Sequence, residues 1–357
     1  MRILYGVVGE GMGHATRSRV VIEHLLARGH QVHVLVSGRA HAMLSQHFQG
    51  VHRVHGWHLV YEDNVVQKGK TAWSNLVDLL KEAPILEQTY RQLADFKPQV
   101  VVSDFESWSY VYAQANHLPV VSIDNMQIIN RCAHDDDVVA GHKAEFLLAK
   151  GFVKAKLPGA FRYLVTTFFR PEVRKERTEL VPPILRPEVL AAQRSAGKHV
   201  LVYCSANNTE SLESVLHSFP EVPFRVYGLR RGIQAEEIDG NLAHQPFSET
   251  GFIADLASAR AVIAGGGFSL MGEAVFLHKP MLSIPLAGQF EQMLNARYLQ
   301  KLGFGLCRET VTHAEVAELL ERAEEFTQNL ASYAQDGNQA VYAAVDQALE
   351  ESLADGQ

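Results

Sequence analysis

The chain has 357 residues, of which 47% are hydrophobic and 20% are charged, and its formal net charge is -7. This length can fold into two domains with separate cores, and the mild acidity argues against a surface that attracts nucleic acid as a whole. No apolar run approaches the roughly 20 residues that cross a bilayer, and the amino terminus shows no charged leader with a cleavage site. We therefore expect a soluble, cytoplasmic protein without nucleic-acid partners.

The first half of the chain alternates predicted strands with predicted helices. Strands are predicted at residues 3–8, 31–36, 99–103 and 119–123, and a helix is predicted from about Thr16 to Ala27. A strand, a helix and a second strand in this order form a right-handed unit that opens a parallel sheet. The alternation predicts a doubly wound α/β domain, to which we assign residues 1–178.

A proline-rich stretch from Val181 to Pro187 separates this domain from a second region of similar texture. Its prolines forbid a continued helix or central strand, so it is predicted to be a linker. New strands are predicted at residues 199–204, 224–229, 261–264 and 280–286. The sequence therefore predicts a linker and a second doubly wound domain over residues 179–334, followed by a helical segment over residues 335–357. Two such Rossmann-like domains place the carboxyl ends of two sheets across a cleft, where ligands bind.

A glycine turn in the second domain carries the most specific pattern. The apolar run from Ala261 to Ala264 predicts a buried parallel strand. Three turn-forming glycines and the first residues of a predicted helix follow it: Gly265, Gly266, Gly267, Phe268 and Ser269. The first N–H groups of that helix have no partner within the helix, and they point into the turn with the positive end of the macrodipole. A diphosphate could bind there without a metal.

Polar side chains accompany this turn. Glu273 lies about one turn into the helix, where its carboxylate could accept hydrogen bonds from a ribose diol. The next strand ends before a loop that carries Gln289, Glu291 and Gln292, and amides and carboxylates suit sugar hydroxyls. The alternative is an ordinary βαβ unit whose polar residues are solvated. Because the features occur together and in order, we favour a nucleotide-sugar site.

The amino-terminal glycine loop does not fit a dinucleotide site. Gly9, Gly11 and Gly13 have GxGxG spacing, and His14 occupies the place where GxGxxG needs its third glycine. The second predicted strand is not followed by an acidic residue for a ribose diol. Both departures argue against NAD or FAD. Gly11 and Gly13 are instead candidates for an acceptor-binding or phosphate-binding loop.

His14 lies at the start of the helix after this loop. An acceptor hydroxyl loses a proton as it attacks an anomeric carbon, and histidine titrates near neutral pH, so His14 is a candidate general base. Asp104 ends a neighbouring predicted strand and could orient the imidazole and stabilise its charged form. The alternatives are a capping or phosphate-binding role for His14 and a loop or capping role for Asp104.

No metal site is predicted. Asp135, Asp136 and Asp137 form a DxD pattern that holds a divalent cation in some sugar-transferring folds, but a solvated acidic turn in a long polar loop is the better interpretation. The histidines His52, His55 and His58 lack ligand spacing, and the cysteines Cys132, Cys204 and Cys307 form no CxxC pair. We expect no metal and no cofactor, only a nucleotide-sugar co-substrate.

Two further segments have open interpretations. The stretch from Lys150 to Arg177 interleaves basic with aromatic residues and could contact anionic lipid or a lipid-linked acceptor. A buried strand from Tyr163 to Phe169 with solvated charges on its flanks is the favoured interpretation. Ser205 begins a run to Asn208 after the first strand of the second domain, where small and amide side chains could leave room for a phosphate.

Five segments together resemble the two-domain GT-B glycosyltransferases. They are GEGMGHATRS (residues 9–18), VVSDFES (101–107), VPPILRP (181–187), GGGFSLMGEA (265–274) and GQFEQMLNARYLQKLG (288–303). The resemblance is to the family 28-related branch of MurG, the bacterial N-acetylglucosaminyltransferase of lipid-linked peptidoglycan precursors. It covers most of the chain in order.

The resemblance implies an inverting, metal-independent transferase with the acceptor on the first domain and the nucleotide sugar on the second. It implies transfer of N-acetylglucosamine or a related hexose, from a UDP-linked donor above all, to a hydroxyl in cell-envelope or surface glycan synthesis. Glu273 would bind the ribose, Gln289 and Gln292 the donor sugar, and the glycine turn the diphosphate. His14 would face the acceptor, and the last helix would return to the first domain.

One departure leaves the acceptor open. MurG-like proteins usually have a GGTGGH-type loop where this chain has Gly9 to His14, so the acceptor contacts are expected to differ. The acceptor is a glycan or a lipid-linked molecule, and peripheral contact with the inner face of a membrane is an open alternative. Two other functions also remain open: a nucleotide-sugar 2-epimerase, which needs no acceptor, and a non-catalytic nucleotide-sugar-binding subunit, which has no use for His14.

Overall fold

The computed structural model describes residues 1–9, 11–54, 61–62, 65–66, 87–204, 209–230 and 232–354. The chain divides into two compact units. The first unit spans Met1–Asp135, Gly141–Ile184 and Asn338–Gln357, and the second spans Asp136–Ala140 and Leu185–Gly337. The chain passes from the first unit to the second after Ile184 and returns to the first after Gly337. Both positions lie a few residues after the predicted boundaries at residues 178 and 334. The sequence did not indicate that residues 136–140 belong with the second unit.

Secondary-structure elements are numbered along the whole chain. The strands of the first unit are β1 (Arg2–Val7), β2 (Gln31–Ser37), β3 (Val51–Val54), β4 (Tyr61–Glu62), β5 (Val65–Val66), β6 (Val100–Asp104), β7 (Val120–Asp124), β8 (Arg162–Thr166) and β9 (Thr178–Val181). Its helices are α1 (Met12–Ala27), α2 (Ala40–His47), α3, described over residues 87–96, α4 (Ser107–Ala115), α5 (Ile128–Arg131), α7 (Lys143–Lys156) and α14 (Gln339–Ala354).

The first unit is built around a sheet of seven parallel strands in the order β3-β2-β1-β6-β7-β8-β9. Strands β6 and β7 are buried at every position, as is typical of a parallel sheet covered on both faces. This burial explains why each of these two strands begins with a run of valines, while its polar residues lie towards its carboxyl end. Because the strands are parallel, their carboxyl ends share one edge, where β6 ends at Asp104, β7 at Asp124 and β8 at Thr166.

The second unit contains a second series of strands and helices. Its strands are β10 (Val200–Tyr203), β11 (Phe224–Tyr227), β12 (Glu237–Asp239), β13 (Leu242–Gln245), β14 (Ala261–Gly265), β15 (Met281–Ile284) and β16 (Gly305–Cys307). Its helices are α6 (Asp136–Val139), α8 (Pro187–Ala191), α9 (Thr209–His217), α10 (Glu249–Ser258), α11 (Phe268–Phe276), α12 (Phe290–Lys301) and α13 (His313–Leu330).

The second sheet also has seven strands, in the order β12-β13-β11-β10-β14-β15-β16. Neighbouring strands are parallel except for β12, which pairs with β13 in the antiparallel direction. The strand order reverses between β10 and β14, the kind of position at which ligands of doubly wound sheets bind. The predicted α/β class, with two Rossmann-like sheets, is confirmed.

The carboxy-terminal helix α14 belongs to the first unit. Its Val341, Val345 and Leu349 are part of that unit's hydrophobic core. His24 of α1 stacks on Tyr342 with the ring centroids 4.1 Å apart. Apolar packing therefore fixes α14 within the first unit.

Helix boundaries show where sequence reasoning was wrong. Helix α1 begins at Met12, with Gly11 as an extended N-cap, rather than near Thr16, so His14 lies inside its first turn. The glycines suggested a longer loop, but a helical glycine costs only ~0.5–1 kcal/mol relative to alanine, which packing can offset. Helix α13 starts with a capping box between Thr312 and Glu315. No helix within the described ranges is long and apolar enough to cross a bilayer.

The core of the second unit yields a stability prediction. Phe326 of α13 is 1% exposed within the core cluster, whereas Phe247 is 86% exposed. Phe326→Ala should lower the free energy of unfolding of this unit by ~3–5 kcal/mol, because a buried ring is lost and a cavity remains. Phe247→Ala, a control of the same residue type, should change it by less than ~0.5 kcal/mol. Denaturant unfolding followed by circular dichroism measures both, and equal losses would contradict the assigned burial.

Candidate active site

The predicted glycine turn connects β14 to α11 in the second unit. Strand β14 ends at Gly265, and Gly267 is the N-cap of α11 without a side-chain cap. A Cβ atom added at Gly267 would meet no atom within 4 Å among the described residues. Phe268 in the first turn is 5% exposed and anchors the helix start in the core. The amino end of α11 is therefore held in place by Phe268 and has open space beside Gly267.

Close packing of α12 against this turn explains Gly266. A Cβ atom added at Gly266 would lie 2.6 Å from Cβ of Gln292 and 2.8 Å from its carbonyl oxygen. Any larger residue would push α12 away from the turn. The glycine thus serves packing, and that packing holds Gln292 beside the turn.

The two predicted sugar-binding amides form one hydrogen-bonded pair. Nε2 of Gln292 donates to Oε1 of Gln289 over 2.8 Å, and Oε1 of Gln292 accepts from the backbone N–H of Leu286 over 3.1 Å. Gln289 is exposed, and Gln292 is half-buried. The structure therefore brings Gln289 and Gln292 together at the glycine turn. Glu291 is paired within its own helix instead, where its Oε1 accepts from Nδ2 of Asn295 over 2.5 Å.

Glu273 has a partner that sequence reasoning missed. Its side chain is buried, and Oε1 and Oε2 accept hydrogen bonds from Nε and Nη2 of Arg186 over 2.7 and 2.8 Å. The remaining arm of the guanidinium, Nη1, donates to Oε1 of Glu249 over 2.9 Å. Burial raises the pKa of Glu273, and Arg186 opposes that rise. The arginine follows the linker prolines, and no local pattern connects it with a glutamate far along the chain.

In the first unit, Asp104 is the centre of a buried polar cluster. Its Oδ1 lies 2.9 Å from Nδ1 of His14, and its Oδ2 accepts from Nε of Arg17 over 2.8 Å and from Oγ of Ser18 over 3.0 Å. Nη2 of Arg17 also donates to Oδ1. Arg17 and His14 hold the pKa of Asp104 well below its ordinary range, against the effect of burial. Asp104 is therefore an ionised carboxylate held by α1.

His14 is oriented by this carboxylate. A proton on Nδ1 would be donated to Asp104, which leaves the lone pair on Nε2. No hydrogen bond joins Nε2 to any residue within the described ranges. Burial is the larger influence on the pKa of His14 and lowers it, and Nη2 of Arg17, 2.6 Å from Nδ1, lowers it further. The side chain is 22% exposed, so this neutral imidazole can reach a ligand.

The glycines of the amino-terminal loop differ in how closely they are packed. A Cβ atom added at Gly9 would lie 1.5 Å from the carbonyl oxygen of Ser37, and the N–H of Gly9 donates to Oγ of Ser37 over 2.9 Å. Gly9 is thus required by packing against the end of β2. A Cβ atom at Gly11 would meet no described atom within 4 Å. The assignment of Gly11 and Gly13 to an acceptor or phosphate loop stays a prediction.

The acidic triplet is exposed to solvent, as the sequence predicted, but it begins a short helix rather than a turn. Asp136–Val139 forms the short helix α6, and both carboxylate oxygens of Asp137 accept from Nζ of Lys301 over 2.9 Å. Nη1 of Arg297 donates to the carbonyl oxygens of Val138 and Ala140. These partners on α12 order the segment. Within the described ranges, no group of three or more His, Cys, Asp or Glu residues could hold a metal ion.

The remaining candidates lie partly outside and partly inside the described residues. Ser205 and its run to Asn208 lie outside the described residues, as do His55 and His58. Nε2 of His52 lies 3.0 Å from Nδ1 of His33. In the basic segment, the predicted buried strand is present as β8, and Arg162 forms an ion pair with Glu351.

Comparisons with known proteins agree with this architecture. A protein-family model described as Glycosyl transferase family 1 matches residues 1–324. An uncharacterized glycosyltransferase of Methanosarcina mazei is 25% identical over 350 residues, which cover 88% of each chain. The UDP-N-acetylglucosamine–N-acetylmuramyl-(pentapeptide) pyrophosphoryl-undecaprenol N-acetylglucosamine transferase 1 of Bacillus thuringiensis is 23% identical over 301 residues, covering 77% of this chain and 80% of that protein.

A solved structure shows the same fold. CalG4, the calicheamicin glycosyltransferase, superposes with a TM-score of 0.69 at 17% identity, and the superposition covers 99% of this chain and 98% of that one. Together with the family model, this likeness confirms the resemblance that the five sequence segments indicated.

The cluster at Asp104 predicts that His14 is uncharged at neutral pH. A group with a lowered pKa keeps its neutral form to a lower pH, so the proton-accepting form of His14 should persist below the ordinary histidine value of about 6.5. An NMR titration of the ring protons, assigned with a His14→Gln variant, should give a midpoint below that value. Arg17→Gln should raise the midpoint because it removes a neighbouring cation. Arg28→Gln, which removes a 56%-exposed cation at the end of α1, should leave it unchanged. A midpoint at or above 6.5 in the parent would contradict the assigned environment.

Proposed function

Because the chain belongs to glycosyl transferase family 1 and is a GT-B glycosyltransferase of the MurG-like branch, we propose that it moves a hexose from a nucleotide diphosphate to an acceptor hydroxyl. The proposed sugar is N-acetylglucosamine or a related hexose. The proposed nucleotide is UDP, because the Bacillus relative is named for a UDP-linked donor. The proposed setting is cytoplasmic synthesis of a cell-envelope or surface glycan.

The observation that carries this proposal is the packing of Gln292 against Gly266. It holds the Gln289–Gln292 amide pair beside the open amino end of α11. Backbone N–H groups at that end would bind the diphosphate, and the amides would bind sugar hydroxyls, which need both donors and acceptors. In this proposal Ser269 adds a hydroxyl in the first turn and Glu273 binds the ribose. Glu291 lies in the first turn of α12 beside the amides, as a further polar group for the donor.

The proposed reaction is a single displacement that inverts the anomeric carbon. The acceptor oxygen forms a bond to that carbon while the bond from the carbon to the diphosphate oxygen breaks. Nε2 of His14 takes the proton of the acceptor hydroxyl, and Asp104 stabilises the imidazolium that results. The negative charge that develops on the leaving diphosphate is stabilised by the amino end of α11, so the step needs no metal.

The acceptor in this proposal is a glycan or a lipid-linked molecule, and helix α7 supplies a surface for peripheral membrane contact. Leu147 and Leu148 on this helix are 66% and 56% exposed. Lys143, Lys150 and Lys154 lie on the same helix. Exposed leucines beside lysines are typical of helices that lie in the interface of an anionic membrane.

Two alternatives would give different products. A nucleotide-sugar 2-epimerase would convert UDP-N-acetylglucosamine alone, without an acceptor. A non-catalytic binding subunit would bind the nucleotide sugar and form no product with any acceptor pool. Product analysis with the donor alone and then with acceptor pools distinguishes these alternatives from the proposed transferase.

Gly267→Asp separates anion binding from folding. Aspartate is a favourable N-cap, and Gly267 has the extended backbone of an N-cap with free space at Cβ, so the variant should fold at least as stably as the parent. Its carboxylate would repel a diphosphate at the same position, so UDP affinity in calorimetry should fall by at least about tenfold, or ~1.4 kcal/mol. Gly267→Ser, a neutral cap, should lose less. Undiminished UDP affinity in Gly267→Asp would exclude the α11 terminus as the diphosphate site.

Replacing Leu147 and Leu148 together by serine tests the membrane contact. The parent should co-sediment with vesicles containing anionic phosphatidylglycerol at low salt and less at high salt, because salt screens the lysines. The double variant should lose most of this binding because its apolar contact is removed. Ile238→Ser is the control, since Ile238 is also 66% exposed but lies in the second unit. Failure of the parent to bind such vesicles would remove this part of the proposal.

A further inference from the structure

Arg186, Glu273 and Glu249 form a compact ionic cluster in the second unit. Three arms of one guanidinium are used: Nε and Nη2 on the two oxygens of Glu273, and Nη1 on Glu249. The side chain of Arg186 is 12% exposed and that of Glu273 is 6% exposed. The planar fork of arginine matches a carboxylate in this two-bond geometry, so the pair fixes the plane of the Glu273 carboxylate as well as its position.

The charge state of Glu273 depends on this pair. Burial raises the pKa of Glu273, and the nearby carboxylates of Glu249 and Glu188 raise it further. The hydrogen bonds and charge of Arg186 oppose this rise. A protonated carboxyl has lost one acceptor oxygen to an O–H group. Without Arg186, Glu273 would therefore be a poorer acceptor for a ribose hydroxyl.

The paired carboxylate can still accept further hydrogen bonds. Each carboxylate oxygen has two lone pairs, and Arg186 uses one on each oxygen. The second lone pairs point away from each other, and one of them can accept from a ribose hydroxyl. Binding of a ribose therefore does not require the ion pair to break.

The backbone around Arg186 also limits the movement of its side chain. Pro182 and Pro183 precede it and Pro187 follows it, and Arg186 is itself the extended N-cap of α8. Proline fixes its own φ angle and restricts the residue before it, so Arg186 is carried on a stiff segment. Glu249, at the start of α10, holds the third arm.

We propose that Arg186 is a positioning residue for nucleotide binding, which holds the carboxylate of Glu273 in the orientation that accepts a hydrogen bond from the donor ribose. This inference rests on the proposed function, because it assumes that the second unit binds a nucleotide. It assigns Arg186 to the ribose through Glu273 rather than to the phosphates. The guanidinium faces two carboxylates, so the cluster as a whole is negative and does not attract an anion.

The test compares calorimetric affinities for UDP and 2′-deoxy-UDP between pH 5.5 and 8.5. The parent should prefer UDP about tenfold, the value of one hydrogen bond to a charged group, and this preference should change less with pH than that of Arg186→Gln. In Arg186→Gln the preference should be smaller than in the parent and should grow as the pH rises, because loss of Arg186 removes what opposes the raised pKa of Glu273. A structural role alone would weaken both ligands equally and give no such dependence on pH.

Two further variants serve as controls for Arg186→Gln. Arg322 makes the same two-bond pair with Glu325 and a third bond to Glu318, but on the surface of α13, so Arg322→Gln should keep the parent preference. The double variant Arg186→Gln/Glu273→Gln removes both buried charges, which protects folding, and should show no preference at any pH. It keeps the test decisive even if Arg186→Gln alone does not fold, because a preference retained in the double variant overturns the inference.

Different results would contradict the proposed function and the role of Arg186. If the parent binds neither UDP nor 2′-deoxy-UDP, the proposed function fails. If the parent binds both equally, or if Arg186→Gln keeps the parent preference at pH 5.5, only the role of Arg186 and Glu273 at the ribose fails.

Discussion

The parallel arrangement of two buried sheets determines where polar chemistry can occur in this molecule. Strands such as β6, buried at every position, are apolar in their first part and carry their polar residues, Ser103 and Asp104, at the carboxyl end. Polar side chains and sharp turns are therefore concentrated where the strands end, and parallel strands end at a common edge. The Asp104 cluster lies at such an edge of the first sheet, and the glycine turn with its amides lies at such an edge of the second.

The two edges carry different kinds of polar group. In the first, neighbouring strands end in two buried aspartates with opposite behaviour: Arg17 keeps the pKa of Asp104 low, whereas burial raises the pKa of Asp124 to about 6. Within the described part of the chain, Asp124 accepts hydrogen bonds from neutral donors, Oγ of Ser122 over 2.7 Å and the N–H of Gln127 over 2.8 Å. One guanidinium thus keeps Asp104 an anion to a lower pH than Asp124, so Asp104 is the carboxylate that can support an imidazolium. The second edge presents backbone N–H groups and neutral amides, whose hydrogen bonding does not change with pH.

The distance along the chain between two contacting residues explains which contacts the sequence could predict. The glycine turn, its helix and the following amides lie within about one βαβ unit, so residue spacing alone placed Gln289 and Gln292 near Gly266. His14 and Asp104 were paired because strand order in a doubly wound sheet brings their elements together, and the distance of 2.9 Å agrees with that reasoning. Arg17 lies three residues after His14, a spacing that places both on one helix face, and it was a signal that could have been used. Arg186 and Glu273 are 87 residues apart with no repeat or pattern linking them, so their pairing could come only from tertiary structure.

The charges around the proposed donor site constrain how it can bind an anion. The chain as a whole carries the same sign as a diphosphate, with a net charge of -7. The positive charge of Arg186 is outweighed by Glu249 and Glu273, so it gives no net attraction. The macrodipole at the start of α11 acts only within about one helical turn. Attraction must therefore come from short hydrogen bonds, which require the phosphate to approach the backbone closely. Glycine at 267, where an added Cβ would project into open space, keeps that approach free, and glycine at 266 lets α12 bring its amides to the same place.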